Sequence, residues 1–129
     1  MNDTDRLQDF ATRYATVWCS QDPEKVAAFY AEGASISVNG GPPTPALEVA
    51  REFMRDFPDM TVTFDKVKPR GDRTAFHWTL TGTYAGTGNR VRISGYELWK
   101  IDEAGLIAES SGYFDAAEYA RQVHGQPNS

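Results

Sequence analysis

Apolar residues recur at helical spacing early in the chain and alternate with polar ones towards its end. Leu7, Phe10, Ala11, Tyr14, Val17 and Trp18 fall at the i, i+3, i+4, i+7 positions of one helical face. Asp3 or Thr4 can cap that helix, and Ser20-Gln21-Asp22-Pro23 ends it and starts another, with Asp22 as N-cap and Pro23 as first helical residue. Val26, Ala27, Phe29 and Tyr30 form a short second stripe closed by Glu32-Gly33, and Ala34–Val38 is a short strand. The run 39–45 contains three prolines, which fix φ and remove donors, and it reads as an irregular rim. A third helix, 46–57, turns Leu47, Ala50, Phe53, Met54 and Phe57 inward, and Pro58 stops it.

From there the period changes to two. Met60, Val62 and Phe64, then Val67 after a slip, mark a strand over 60–68, and 69–72 makes a turn. The strand 73–84 puts Phe76, Trp78, Leu80 and Tyr84 on one face and His77, Thr79, Thr81 and Thr83 on the other. The strand 91–101 puts Val91, Ile93, Gly95, Glu97, Trp99 and Ile101 on one face. A last strand runs from about Leu106 to Asp115, followed by a helix over 116–123. Helices followed by a meandering sheet predict an α+β fold with one helical layer on one curved sheet, enclosing a cavity. The domain spans 1–129, with a core over about 5–122 and a loose tail over 123–129.

Glu97 breaks an otherwise apolar face. A one-residue slip would flip the whole set, so its register is strongly fixed. A carboxylate there either finds a partner, such as Arg51 or Arg92 at the sheet edge, or stays protonated through a raised pKa.

Composition narrows the function classes. The 129 residues suffice for one domain with a core of its own. The net charge of −5 argues against non-specific binding to nucleic acid. No apolar run approaches the roughly 20 residues of a membrane span. The N-terminus MNDTDRLQDF is acidic and polar, unlike a secretory signal, so a cytoplasmic location is expected. The lone Cys19 rules out an internal disulfide and reads as a buried apolar thiol at a helix end. His77 and His124 lie far apart with no ligand-spaced cluster around them, so no metal is expected, and no glycine-rich nucleotide cradle suggests a cofactor.

The order of elements resembles the nuclear transport factor 2-like superfamily. Its most specific pieces, FPDM at 57–60, GDR…HWTLTGTYAG at 71–86 and RVRISGYELWKIDEAGLIAE at 90–109, are similar to the SnoaL-like polyketide cyclase and ketosteroid isomerase-related branch. The resemblance implies a cone-shaped, curved mixed or antiparallel sheet wrapped around the N-terminal helices, a cystatin-like roll. It also implies cofactor-independent acid-base chemistry. Asp115 matches the general acid/base of the cyclases, although Ser110-Ser111 stand where that family commonly has His-Trp. Tyr14 and Glu97 match the two oxyanion donors of ketosteroid isomerases, whose base has no counterpart in Ile36-Ser37-Val38.

Together these positions give a mechanism in which Asp115 removes a proton α to a carbonyl while Tyr14 and protonated Glu97 donate to the enolate oxygen. Trp18, Phe29, Phe53, Phe57, Phe76, Trp78, Trp99 and Tyr113 offer an aromatic lining for a small hydrophobic molecule. Each role has a plainer alternative. Tyr14 and the tryptophans also suit the core, and Asp115, with Glu118 three residues on, has capping-box spacing for the last helix. A non-catalytic ligand-binding or dimerisation module therefore stands beside the enzyme. A homodimer through the outer sheet face, carrying His77 and the threonines, is expected in either case.

Overall fold

The computed structural model of the chain describes residues 3–125, with side chains from residue 5. The side chains of Asp3 and Thr4, the expected caps, and most of the expected tail, residues 126–129, lie outside what is described. Four helices, α1 (Asp3–Trp18), α2 (Pro23–Ala27), α3 (Ala46–Asp56) and α4 (Ala116–His124), accompany six strands. The strands are β1 (Tyr30–Val38), β2 (Thr44–Pro45), β3 (Thr61–Arg70), β4 (Arg73–Thr83), β5 (Arg90–Ile101) and β6 (Ile107–Phe114). They form one curved, unclosed sheet in the order β2-β1-β6-β5-β4-β3, in which only β1 and β6 run parallel.

The helical stripe of α1 buries Ala11, Tyr14, Ala15 and Trp18 against the sheet. Asp22 caps α2 by accepting from the Glu24 N–H at 3.1 Å. That helix is shorter than its stripe suggested, and Tyr30 already belongs to β1. The turn expected at Glu32-Gly33 becomes a register shift within that strand, with Gly33 at φ 77°. The proline-rich rim also yields a little regular structure, since Thr44 and Pro45 pair with Ile36 and Ser35 at the sheet edge, where a proline costs no interior ladder bond. The α3 helix carries the chain from that edge to the opposite one, and the β3–β6 meander returns to pair with β1.

At the C-terminus the helix runs to His124, and Val123, 1% exposed, belongs to the core. Its neighbour Gln122 closes a free stretch of β5 by accepting from the Arg92 N–H at 2.6 Å and donating to the Arg92 carbonyl at 2.9 Å. Cys19 corrects the sequence reading: it is exposed, because it lies just past the end of α1, and its sulfur accepts from the Val62 N–H at 3.2 Å.

Gly95 sets how closely the strands can approach at the sheet's bend. A Cβ there would lie 2.3 Å from the Tyr113 carbonyl oxygen and 2.7 Å from the Trp78 ring. Gly95→Ala is therefore expected to destabilise the fold by about 1–3 kcal/mol, as overpacked cores do, read from urea unfolding. A change below about 0.5 kcal/mol, the range of neutral surface substitutions, would show that the strands separate without cost there.

Candidate functional site

The inward face of β5 carries Ile93, Gly95, Glu97 and Trp99, as the alternation predicted, and Glu97 is 7% exposed. Neither of the arginines considered as its partner reaches it. Its contacts are hydroxyls from three other elements. Tyr14 of α1 donates to Oε1 at 3.0 Å, and Ser110 of β6 donates to the same oxygen at 3.0 Å. Tyr30, the first residue of β1, lies 3.5 Å from Oε1 and 2.7 Å from the Tyr14 hydroxyl. A phenol has one proton, so with Tyr14 donating to Glu97, Tyr30 donates to Tyr14. All three hydroxyls crowd Oε1, and among the described residues no hydrogen bond reaches Oε2.

Burial sets the electrostatics. Desolvation pushes Glu97 up to about 7, against the opposing pull of hydrogen bonds from Ser110, Tyr14, Trp99 and Tyr30. The Trp99 indole N–H is fully buried and close enough to Glu97 to favour its charge, yet it makes no hydrogen bond of ordinary geometry. Burial, reinforced by the charge of Glu97, raises both tyrosines well above the usual phenol range, so they remain donors at any physiological pH.

Glu97 lines a cavity of about 60 Å³ that is open at its mouth. Ile36, Val49, Phe76 and Leu80 are buried in its floor and walls, and Val38, Phe53, Val62, Trp78 and Phe114 are half-buried towards the mouth. Opposite Glu97 on β6 stands Gly112, also in the lining. Among the described lining residues Glu97 is the one ionisable group.

The structure brings some of the sequence-selected residues together here and places others elsewhere. Tyr14 and Glu97 meet in one cluster, and Trp18, Phe53, Phe76 and Trp78 line the cavity. Trp99 lies behind it, fully buried and stacked on Phe76 with ring centroids 4.8 Å apart. Phe57 is also fully buried but packs on Tyr84 and Tyr119, because it caps α3 at the far side of the core. Phe29 packs on Phe10 and borders a separate shallow groove. Tyr113 points to the opposite sheet face, beside Tyr96, because Gly112 and Phe114 take the inward positions of β6. Asp115 is exposed and caps α4, accepting from the Glu118 N–H at 3.0 Å; it is absent from the cavity lining.

Two members of the cluster, Tyr30 and Ser110, were not singled out from the sequence. The signal for Tyr30 was an aromatic residue at the end of a stripe too short for a full helix. Ser110 carried the signal of a polar residue two before the small Gly112 in an inward-alternating strand. Neither hint identifies a partner, since β1 and β6 pair in parallel across a long stretch of chain.

The SnoaL-like domain family matches residues 11–110. No functionally curated protein matches the chain. Among solved structures, a protein from Jannaschia sp. CCS1 assigned as a SnoaL-like polyketide cyclase is 15% identical, with a TM-score of 0.79 and 98% of each chain covered. IdmH from Streptomyces antibioticus, assigned as a polyketide cyclase, is 23% identical, with a TM-score of 0.73 over 90% of this chain and 96% of that one. A protein of ketosteroid isomerase-like fold from Catenulispora acidiphila, in complex with trimethylamine, is 14% identical, with a TM-score of 0.77 over 88% and 91%. At these identities the likeness is one of fold.

The raised Glu97 has a signed consequence for stability. Between the ordinary carboxylate range and about 7 the folded protein holds a proton that the unfolded chain has released. Stability contributed by this group is thus complete at low pH and falls as pH rises to about 7. Relative to Glu97→Gln, the wild type is expected to lose about 3 kcal/mol between pH 4 and 8, measured by urea unfolding of both proteins across that range. A difference that stays flat with pH would mean Glu97 ionises like a surface acid.

Proposed function

The chain belongs to the SnoaL-like domain family, and we propose that it is a cofactor-independent acid-base enzyme. It would isomerise or cyclise a small, mostly apolar substrate with an enolisable carbonyl, and Glu97 would move the proton. The observation that carries this reading is the presence of Glu97 in the lining of an apolar cavity, with hydroxyls anchoring Oε1 and none bonded to Oε2 among the described residues. A carboxyl group that titrates near 7 is half ionised at neutral pH, where a proton-transfer group works best.

In the ionised state Oε2 takes the proton from the carbon α to the carbonyl, and the C–H electron pair moves into the enolate. Glu97 then carries that proton on Oε2. It returns it to a different carbon in an isomerisation, or to the alkoxide formed when the enolate carbon attacks a second carbonyl in a ring closure. In both outcomes the enzyme regains its starting protonation. Tyr14, relayed from Tyr30, and Ser110 hold the carboxylate charge on Oε1 and fix its orientation. The dry walls keep bulk water from exchanging with the transferred proton. In this reading Asp115, which the resemblance nominated as base, starts α4.

The near absence of polar groups from the lining also favours a second reading, a pocket that binds a hydrophobic ligand without turning it over. Solvent exchange separates the two. In D₂O, cyclic ketones and β-diketones incubated with the protein should exchange their α-hydrogens faster than the buffer alone allows, followed by proton NMR. The rate should rise with pH through about 7 as Glu97 ionises and fall about 10²–10⁴-fold in Glu97→Gln. Tyr14→Phe removes a bond that favours the charged form, so its profile should move to higher pH. Binding without exchange would favour the silent pocket, and exchange that survives Glu97→Gln would sink the assignment of the base.

Gly112 gives a steric check. A Cβ there would meet Glu97 Cγ at 3.7 Å and the Ser37 carbonyl oxygen at 3.8 Å, both ordinary contacts. Gly112→Ala should therefore fold normally but narrow access to Oε2. Exchange should fall while the melting temperature stays within about 2 °C of wild type, the scale of a few tenths of a kcal/mol. A normal exchange rate would place the substrate away from Glu97.

A further inference from the structure

We propose that the same cavity binds small lipophilic ammonium ions, tertiary or quaternary, with the cation against Glu97 Oε2 and its alkyl groups against the aromatic walls. The inference rests on the cavity being the ligand site, as in the proposed function, and not on turnover.

Four features carry it. The walls include Trp18, Phe53, Trp78 and Phe114, and aromatic faces attract an alkylated cation more strongly where water is excluded. The one charge the lining can offer is negative, on a carboxyl group whose hydrogen bonds among the described residues all go to Oε1. A carboxylate or phosphate ligand would meet that charge with no lysine, arginine or histidine in the described lining to offset it. The whole chain, at net −5, also biases the surrounding field towards cations.

An alkylammonium ion suits these surroundings because its methyl groups need no hydrogen bonds from walls that have almost none to give. A primary ammonium or a guanidinium would leave N–H groups unpaired in the same place, which costs binding. Quaternary and tertiary ions are thus the class that the lining selects.

Binding of such a cation is coupled to one proton. The titratable groups facing Glu97 are Tyr14 from α1 and Tyr30 from β1, both held as neutral donors, while β6 presents Ser110 and Gly112 and β4 presents Phe76. A permanent cation at Oε2 favours the ionised carboxyl group and displaces its proton. Glu97 is mostly protonated at pH 6 and mostly ionised at pH 8. Binding should therefore be tighter at pH 8, and at pH 6 it should release close to one proton.

Tetramethylammonium is the probe, since it has no proton of its own, with tert-butanol as a neutral mimic of its shape and cyclohexanone as a neutral carbonyl control. Calorimetric titrations at pH 6 in buffers of different ionisation enthalpy count the released protons. The expected result is binding about tenfold or more tighter than tert-butanol, proton release at pH 6 but not at pH 8, and loss of both in Glu97→Gln. Glu97→Gln should still bind cyclohexanone, which shows that its cavity is intact. Equal affinity for tetramethylammonium and tert-butanol, or affinity unchanged by Glu97→Gln, overturns the proposal. Cyclohexanone binding with no tetramethylammonium binding overturns it alone and leaves the proposed function standing. No binding of either overturns it together with the reading of the cavity as a ligand site.

Discussion

The structure turns on a single buried oxygen. Oε1 of Glu97 gathers hydroxyls from α1, β1 and β6, so three elements converge on one side chain of β5. The convergence couples fold to site. If α1 shifts along the sheet, Tyr14 leaves the carboxyl group; if the parallel pairing of β1 and β6 slips, Tyr30 and Ser110 lose their common target. Aromatic packing supports the arrangement from behind. Tyr14 meets Trp99 and Phe76 edge-on at 5.0 and 5.3 Å, and these two rings stack on each other, so the phenol has little freedom to turn away.

Two opposing influences bring the Glu97 carboxyl group to about 7. Burial alone would keep the group protonated, and several directed hydrogen bonds alone would keep it ionised. Burial prevails over the hydrogen bonds and brings the group to about 7, where it is sensitive to any third influence, whether a deleted hydroxyl, a neutral ligand that displaces water, or a cation beside it. The unpartnered Trp99 N–H belongs to the same balance. It is a donor close to the carboxylate but without good geometry, so a small rotation of either side chain would strengthen the charged form. The proposed acid-base role requires a group poised in this way.

Much of this was legible in the chain because alternation and helical spacing are local. The inward position of Glu97 followed from the parity of β5, and that of Tyr14 from the stripe of α1. What local patterns do not encode is which elements meet. Tyr30 read as the end of a helical stripe, and only its place at the head of β1 turns its phenol towards Tyr14. The parity of β6 was hidden because its inward positions are a serine, a glycine and a phenylalanine, a weak apolar signal, while Tyr113 between them is the bulkier aromatic. Asp115 shows a different limit. An aspartate followed three residues later by a glutamate is both a capping pattern and a plausible general base, and sequence alone does not separate the two. Its placement at the exposed start of α4 accounts for the spacing through the cap alone.

The two glycines near Glu97 on the concave face have different causes. Gly95 answers to the backbone: its neighbours leave no room for a Cβ, so the bend of the sheet demands it. Gly112 meets no such demand. Its φ is not in the left-handed region, and a Cβ would find only ordinary contacts with Glu97 and Ser37. A larger residue there would bury more apolar surface and would ordinarily stabilise the fold. Glycine at that position, which lines the cavity beside Glu97, forgoes this stabilisation. A strand built only to complete a core would gain from a side chain there, so glycine at this lining position accords with the proposed role of the cavity as a ligand site.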